Sequence, residues 1–236
     1  SKSYNYLLEI INIRNKRKII RISPDFTNIY KPKKIAYRFA SNRKVCIIPN
    51  FRMIDKVNED PNPYIFFLLI LIEYFDFNKI EYYFLIHSIE HYKSIQSDEE
   101  VINLIMRQNP TLDFPIVKLS DPVAIKNIIG DAKFVISSRF HGLINALSQN
   151  VPSVATAWSH KYEELMATYE LSYLCINKLS SKSETIKVLD KLNNEEELKN
   201  IISNLKIKNK ILEKKTKQLW GIIDDIIIQN NIYHVT

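Results

Sequence analysis

Six consecutive residues, Ser137-Ser138-Arg139-Phe140-His141-Gly142, bring a planar cation, an imidazole and a helix start into one short stretch. Arg139 and His141 are two apart, so in an extended turn both side chains point to the same side. Phe140 then turns away into the core, and Gly142 lets a ligand come close to the backbone. A helix beginning here offers unbonded N–H groups and the positive end of its dipole, which together favour an anion. The structural alternative is an arginine paired with a structural carboxylate and a histidine capping its neighbours. Spacing alone does not choose between them.

These residues need elements to hold them, and the downstream pattern supplies a regular set. Apolar strands are expected at 45–49, 81–87, 115–119, 133–137, 153–157 and 173–176. Helices are expected from Asn62-Pro63 to about Asn78, over 99–108 with Asp98 as the cap, and after Asp121-Pro122 as far as Gly130. Further helices run over 141–149 and 161–169, and residues 184–229 read as two or three more. Upstream, 4–14 has mixed helical spacing, 18–22 looks like a short strand halted by Ser23-Pro24-Asp25, and 31–44 is a basic connector. Short strands alternating with helices specify α/β units and a Rossmann-like parallel sheet flanked by helices.

Ligands of such sheets gather beyond the carboxyl ends of the strands. The residues there are Asn50, Phe51 and Arg52; His87, Ser88 and His91; Ser138 to His141; and Trp158, Ser159, His160 and Lys161. With a strand order of the 3-2-1-4-5 kind, Arg52 and the Arg139–His141 segment face each other across a crevice. Only three glycines are present, so no GxGxxG or Walker loop exists and dinucleotide or ATP binding by those routes is disfavoured.

Composition is globular, and the net charge of +7 is scattered rather than striped with aromatics, which argues against nucleic acid. Cys46 and Cys175 lie in apolar runs and read as buried free thiols, and the five histidines lack metal-ligand spacing. The longest apolar run, 64–72, is about half of the roughly 20 residues a membrane span requires.

The stretch from Phe134 to Leu171 resembles the signature region of polysaccharide pyruvyl transferases. It has an apolar strand, then Ser138-Arg139-Phe140-His141 before a helix, then the Asn150-Val151-Pro152 turn and another strand. A loop with Lys161 then leads into an acidic helix carrying Glu163 and Glu164. Ser23-Pro24-Asp25-Phe26 is similar to the end of the family's N-terminal domain, and 45–52 to the first strand of its C-terminal domain. The similarity covers residues 20–175.

The resemblance implies a GT-B-like pair of Rossmann-type domains. Residues 1–40 are then the tail of an N-terminal domain plus connector, 41–180 a Rossmann-like PEP-binding domain, and 181–236 C-terminal helices packing on it. The implied reaction moves the enolpyruvyl carbons of phosphoenolpyruvate (PEP) onto two sugar hydroxyls, giving a cyclic pyruvate ketal and phosphate. Arg139 is assigned to one anionic group of PEP, with Arg52 as the second cation. His141 contacts the phosphate or carries a proton, and Glu164 or Glu163 takes the hydroxyl proton. Ser138, Gly142, His160 and Lys161 complete the substrate-binding set, and Trp158 could stack on a sugar face. PEP is a donor substrate, and no cofactor or metal is implied. The expected acceptor is a sugar, glycolipid or oligosaccharide, in the cytoplasm, with peripheral association at the inner membrane face as an option. The rival readings are a GT-B glycosyltransferase using a nucleotide-sugar and a non-catalytic anion-binding module derived from such an enzyme.

Overall fold

The structure is a computed structural model and describes residues 23–33, 44–55, 61–88, 97–156, 159–177, 179 and 181–229. The expected helix at 4–14, the strand at 18–22, most of the connector, His91 and Trp158 lie outside the described residues.

In chain order the elements are β1 (Val45–Ile48), α1 (Arg52–Asp55), α2 (Asn62–Phe77), β2 (Tyr82–Ile86), α3 (Asp98–Gln108), β3 (Ile116–Lys118) and α4 (Pro122–Gly130). There follow β4 (Val135–Ser137), α5 (Phe140–Leu147), β5 (Ser153–Thr156), α6 (His160–Thr168), β6 (Cys175–Ile176), α7 (Lys182–Asn193) and α8 (Glu195–Gln229). The six strands form one sheet in the order β3-β2-β1-β4-β5-β6, and every pairing is parallel. This is the strand order that places the ends of β1 and β4 side by side.

Parallel sheets are covered on both faces, so their strands read as continuous apolar runs. β1, β2, β4 and β5 are buried at every position, whereas β3 at the edge alternates exposed and buried. α2 is apolar around most of its circumference, and Tyr64, Phe67, Leu68, Leu71 and Phe75 are buried. Phe75 packs on Phe134 and Tyr82 at ring-centroid distances of 6.2 and 5.4 Å. Each such fully buried side chain contributes about 1.5–3 kcal/mol.

With so few glycines, three turns use other residues in the left-handed region: Lys79 (φ 55°), Asn150 (φ 63°) and Glu170 (φ 61°). Each lies two or three residues past a helix end and costs about 1–2 kcal/mol relative to a right-handed residue, with Asn150 the best tolerated.

The described residues form two compact units, one within residues 31–208 and one that joins 23–30 with 209–229. The first contains the sheet, and α7 packs in it through a hydrogen bond from Tyr74 Oη to Asp190, 2.7 Å. In the second, Thr216 Oγ1 donates to Asn28 Oδ1 (3.1 Å, buried) and Phe26 meets Trp220 edge-on at 6.3 Å. Cys46 and Cys175 are free thiols, as expected, but only Cys46 is buried, because Cys175 lies on the two-residue edge strand β6. Burial pushes Cys46 up to about 12 and Cys175 up to about 11.

Candidate active site

The carboxyl ends of β1, β2 and β4, with the start of α6, surround a cleft of about 240 Å³. Asn50, Arg52, His87, Ser88, Arg139, Phe140, His141, Lys161 and Tyr162 line it. Two larger hollows lie elsewhere. One, about 510 Å³, opens along the Lys210–Gln218 face of α8. The other, about 370 Å³, runs beside edge strand β3. Neither gathers the arginine, histidine and helix terminus that define the cleft.

The floor beneath the cleft is a closed hydroxyl network. Thr156 Oγ1 donates to Ser138 Oγ (2.6 Å), which also bonds Tyr64 Oη (2.7 Å). The Ser138 carbonyl accepts from Tyr162 Oη and Asn50 Nδ2, each at 2.9 Å. Asn50 N in turn donates to Tyr64 Oη at 3.1 Å. Burial pushes the Tyr64 hydroxyl above its ordinary range, so it stays protonated. Ser138 is 3% exposed, bonded to these partners and not among the residues lining the cleft, so its expected substrate contact gives way to a place in the floor.

Gly142 also changes role. A Cβ there would sit 2.5 Å from Ser137 Oγ and 3.0 Å from Ile48 Cδ1, so glycine is required for α5 to rest on β4 and β1. The ligand-approach reading is replaced by a packing reason. Phe140 departs from expectation in the other direction. It is half-buried at the cleft, edge-on to Tyr162 at 5.6 Å, with Lys161 Nζ 4.7 Å from its ring centroid.

Arg139 occupies the N-cap position of α5 with extended backbone. Ser137 Oγ accepts from its N–H (3.0 Å) and donates to its carbonyl (2.9 Å), holding the turn. Its guanidinium grips Asp98, with Nε 3.1 Å from both carboxylate oxygens and Nη2 also bonded to Oδ1. The arginine–carboxylate pair left open by spacing is therefore present. Asp98 is not the helix cap expected of it. Ser97 fills that place, its Oγ accepting from Glu100 N, and Asp98 is fully buried as the first helical residue. Burial pushes the Asp98 carboxyl up, while Arg139 and two backbone N–H donors, Ser88 and Phe51, oppose that rise.

His141 is exposed in the first turn of α5, where the amides have no carbonyl four residues back to bond. Arg52 opens α1, pairs with Asp55 and is 41% exposed at the cleft. His87 also faces the cleft. Its Nε2 is shielded from solvent and has no partner among the described residues, and burial with the nearby Arg139 and His141 charges lowers it to about 4. It is neutral at neutral pH. His160, Glu163 and Glu164 do not line the cleft. Glu163 instead accepts from Asn177 Nδ2 at 3.4 Å, and Glu164 is half-buried on α6. Among the described residues, no cluster of three or more His, Cys, Asp or Glu could hold a metal ion, and no helix is long and apolar enough to cross a membrane.

Sequence reading missed Asp98 as a site residue, and it noted His87 beyond β2 without assigning it to the site. The position of His87 one residue past a strand was a usable signal. Nothing in the Ser97–Glu100 run distinguishes a buried carboxylate from a surface one.

A small polar cleft at the switch point of a parallel sheet, with cations beside a helix N-terminus, is an arrangement for binding an anionic small molecule. The family model of polysaccharide pyruvyl transferases matches residues 1–160, more than half of the chain, and the chain belongs to that family. The match starts upstream of the 20–175 similarity read from sequence and ends at His160, leaving Lys161, Glu163 and Glu164 outside it. The fold is similar to that of S. aureus TarM, a GT-B glycosyltransferase, in a crystal structure of a mutant with Fondaparinux, alpha-GlcNAc-glycerol and UDP. The TM-score is 0.54 at 16% identity, covering 91% of this chain and 40% of that one. That identity makes it a likeness of fold alone, and the chain spans about two fifths of the TarM chain. No curated protein matches the chain in sequence.

Proposed function

We propose that the chain binds PEP in this cleft and serves transfer of its enolpyruvyl carbons to two hydroxyls of a sugar in a polysaccharide or its precursor. The observation that carries the reading is the convergence of Arg52, Arg139, His141 and Lys161 on one cleft at the α5 N-terminus. PEP needs two anion sites, a carboxylate and a phosphate, and arginine forks with helix amides supply both. The volume of about 240 Å³ lies below the ~300–1,000 Å³ typical of drug-sized ligands, which suits a three-carbon metabolite better than a nucleotide-sugar.

The reaction protonates the PEP methylene carbon to a methyl and leaves an oxocarbenium-like centre. One sugar hydroxyl adds there and loses its proton. The second hydroxyl then displaces phosphate, its proton leaving with that phosphate, and the ketal closes. His141, exposed and beside the cleft, is positioned to deliver the first proton, and Arg139 and Arg52 hold the anionic groups. Glu163 and Glu164 receive no part, because neither reaches the cleft.

Calorimetry tests the proposal directly. PEP should bind the wild-type chain and bind His141→Gln more weakly, while a nucleotide-sugar should give no heat. Nucleotide-sugar binding with PEP silent would transfer the assignment to the glycosyltransferase reading. PEP binding without ketal formation on any acceptor would favour an anion-binding module.

A further inference from the structure

The three loops that build the cleft meet on one carboxylate. Phe51 N after β1, Ser88 N after β2 (3.1 Å) and the Arg139 guanidinium after β4 all donate to Asp98. Helix capping does not account for this group, since Ser97 already caps α3. Burying a carboxylate completely is costly, and a buried ion pair often adds nothing to stability over apolar packing. What the pair does supply is direction. Asp98 takes the Nε and Nη2 edge of the fork, and Nη1 makes no hydrogen bond among the described residues. The side chain of Arg139 is 23% exposed, at the cleft.

We propose that Asp98 is the positioning residue of Arg139, aiming the unused edge of the guanidinium at the bound anion; this rests on the PEP reading of the cleft. The same bonds to Phe51 and Ser88 set the spacing of the loops that carry Arg52 and His87. Residues that act on substrate need such a supporting layer to hold their geometry.

Charge and geometry predict opposite signs here, which makes the test sharp. Removing a negative charge near the cleft tightens anion binding if net charge is what matters. It weakens binding if Asp98 aims the fork. Calorimetric titration of PEP, and separately of inorganic phosphate, is made on wild type, Asp98→Asn, Arg139→Ala, Arg139→Lys and the Asp98→Asn/Arg139→Ala double variant. The expected result is a loss of at least tenfold in affinity for Asp98→Asn. The double variant should bind no worse than Arg139→Ala, and Arg139→Lys, which keeps the charge but loses the fork, should bind as poorly as Arg139→Ala.

Wild-type or tighter binding by Asp98→Asn overturns the proposal, as does a double variant that loses both factors in full. If Asp98→Asn does not fold, Arg139→Lys decides, and wild-type affinity there is the overturning result. A wild-type chain that binds phosphate but not PEP removes the proposed function and leaves the Asp98 cycle to be scored on phosphate. Binding of neither ligand overturns both.

Discussion

Ser138 and Arg139 are adjacent in the chain and belong to different regions of the site. Ser138 points down into a floor whose hydroxyls satisfy one another, almost sealed from solvent. Arg139 points to a rim where Arg52, His141 and Lys161 keep partial or full exposure at the cleft. The floor's hydroxyls are buried and bonded to one another, whereas the rim's cations reach the cleft. Proximity to the motif is therefore a poor guide to role, and hydrogen-bond saturation is a better one.

The most severe break in that contrast is Arg139→Ala, because Arg139 serves the rim and also holds the buried Asp98. It should abolish PEP-dependent transfer and also strip the buried Asp98 of its counter-charge, costing about 3 kcal/mol; activity and thermal melts check both. His141→Gln acts on the rim alone. It should lower kcat/KM by about 10²-fold or more while the melting temperature stays put. Ser138→Ala acts on the floor alone, leaving the Tyr64 and Thr156 hydroxyls short of a partner. A loss of about 1–3 kcal/mol in denaturant stability, with PEP affinity unchanged, is expected. An equal loss of affinity would erase the distinction between floor and rim.

The pH dependence sharpens the same comparison. His87 is lowered to about 4 in the fold against an ordinary 6.5, so the unfolded chain takes up a proton first as pH falls. Stability contributed by its neutral form is present above about 6.5 and is lost as pH drops towards 4. Urea melts across that window should show a shallower decline in His87→Asn. The smallest effect lies far from the cleft. Lys79→Gly, at an exposed left-handed position, should add about 0.5–1 kcal/mol.

The strands were legible because a parallel sheet buries both faces and writes itself as short apolar runs between helix caps, whereas their order in the sheet was an assumption that the structure bears out. Asp121-Pro122 marked a helix start where the structure has it, whereas the helix expected to run to 149 stops at Leu147, three residues before Asn150. The rim was also legible, since residues beyond the carboxyl ends of strands can be named once the strands are placed. Partnerships were not. Whether Arg139 faces solvent or Asp98 depends on residues 41 positions apart being folded together, and no local pattern encodes that. The reversal at Phe140 has the same origin. Alternation sends it inward, but α5 begins at that residue, so helical rather than extended geometry sets its direction. Gly142 was read from its freedom of backbone, while what the fold uses is its missing side chain.

Cys46 lies in a central strand, fully enclosed, with its thiol far from ionising at neutral pH. Thiolates, not thiols, attack alkylating reagents, so this sulfur stays silent until β1 leaves the sheet. Cys175, on the short edge strand β6 and only partly covered, should label first. The chain thus has two chemical clocks, one timing the fraying of its margin and the other the opening of its centre.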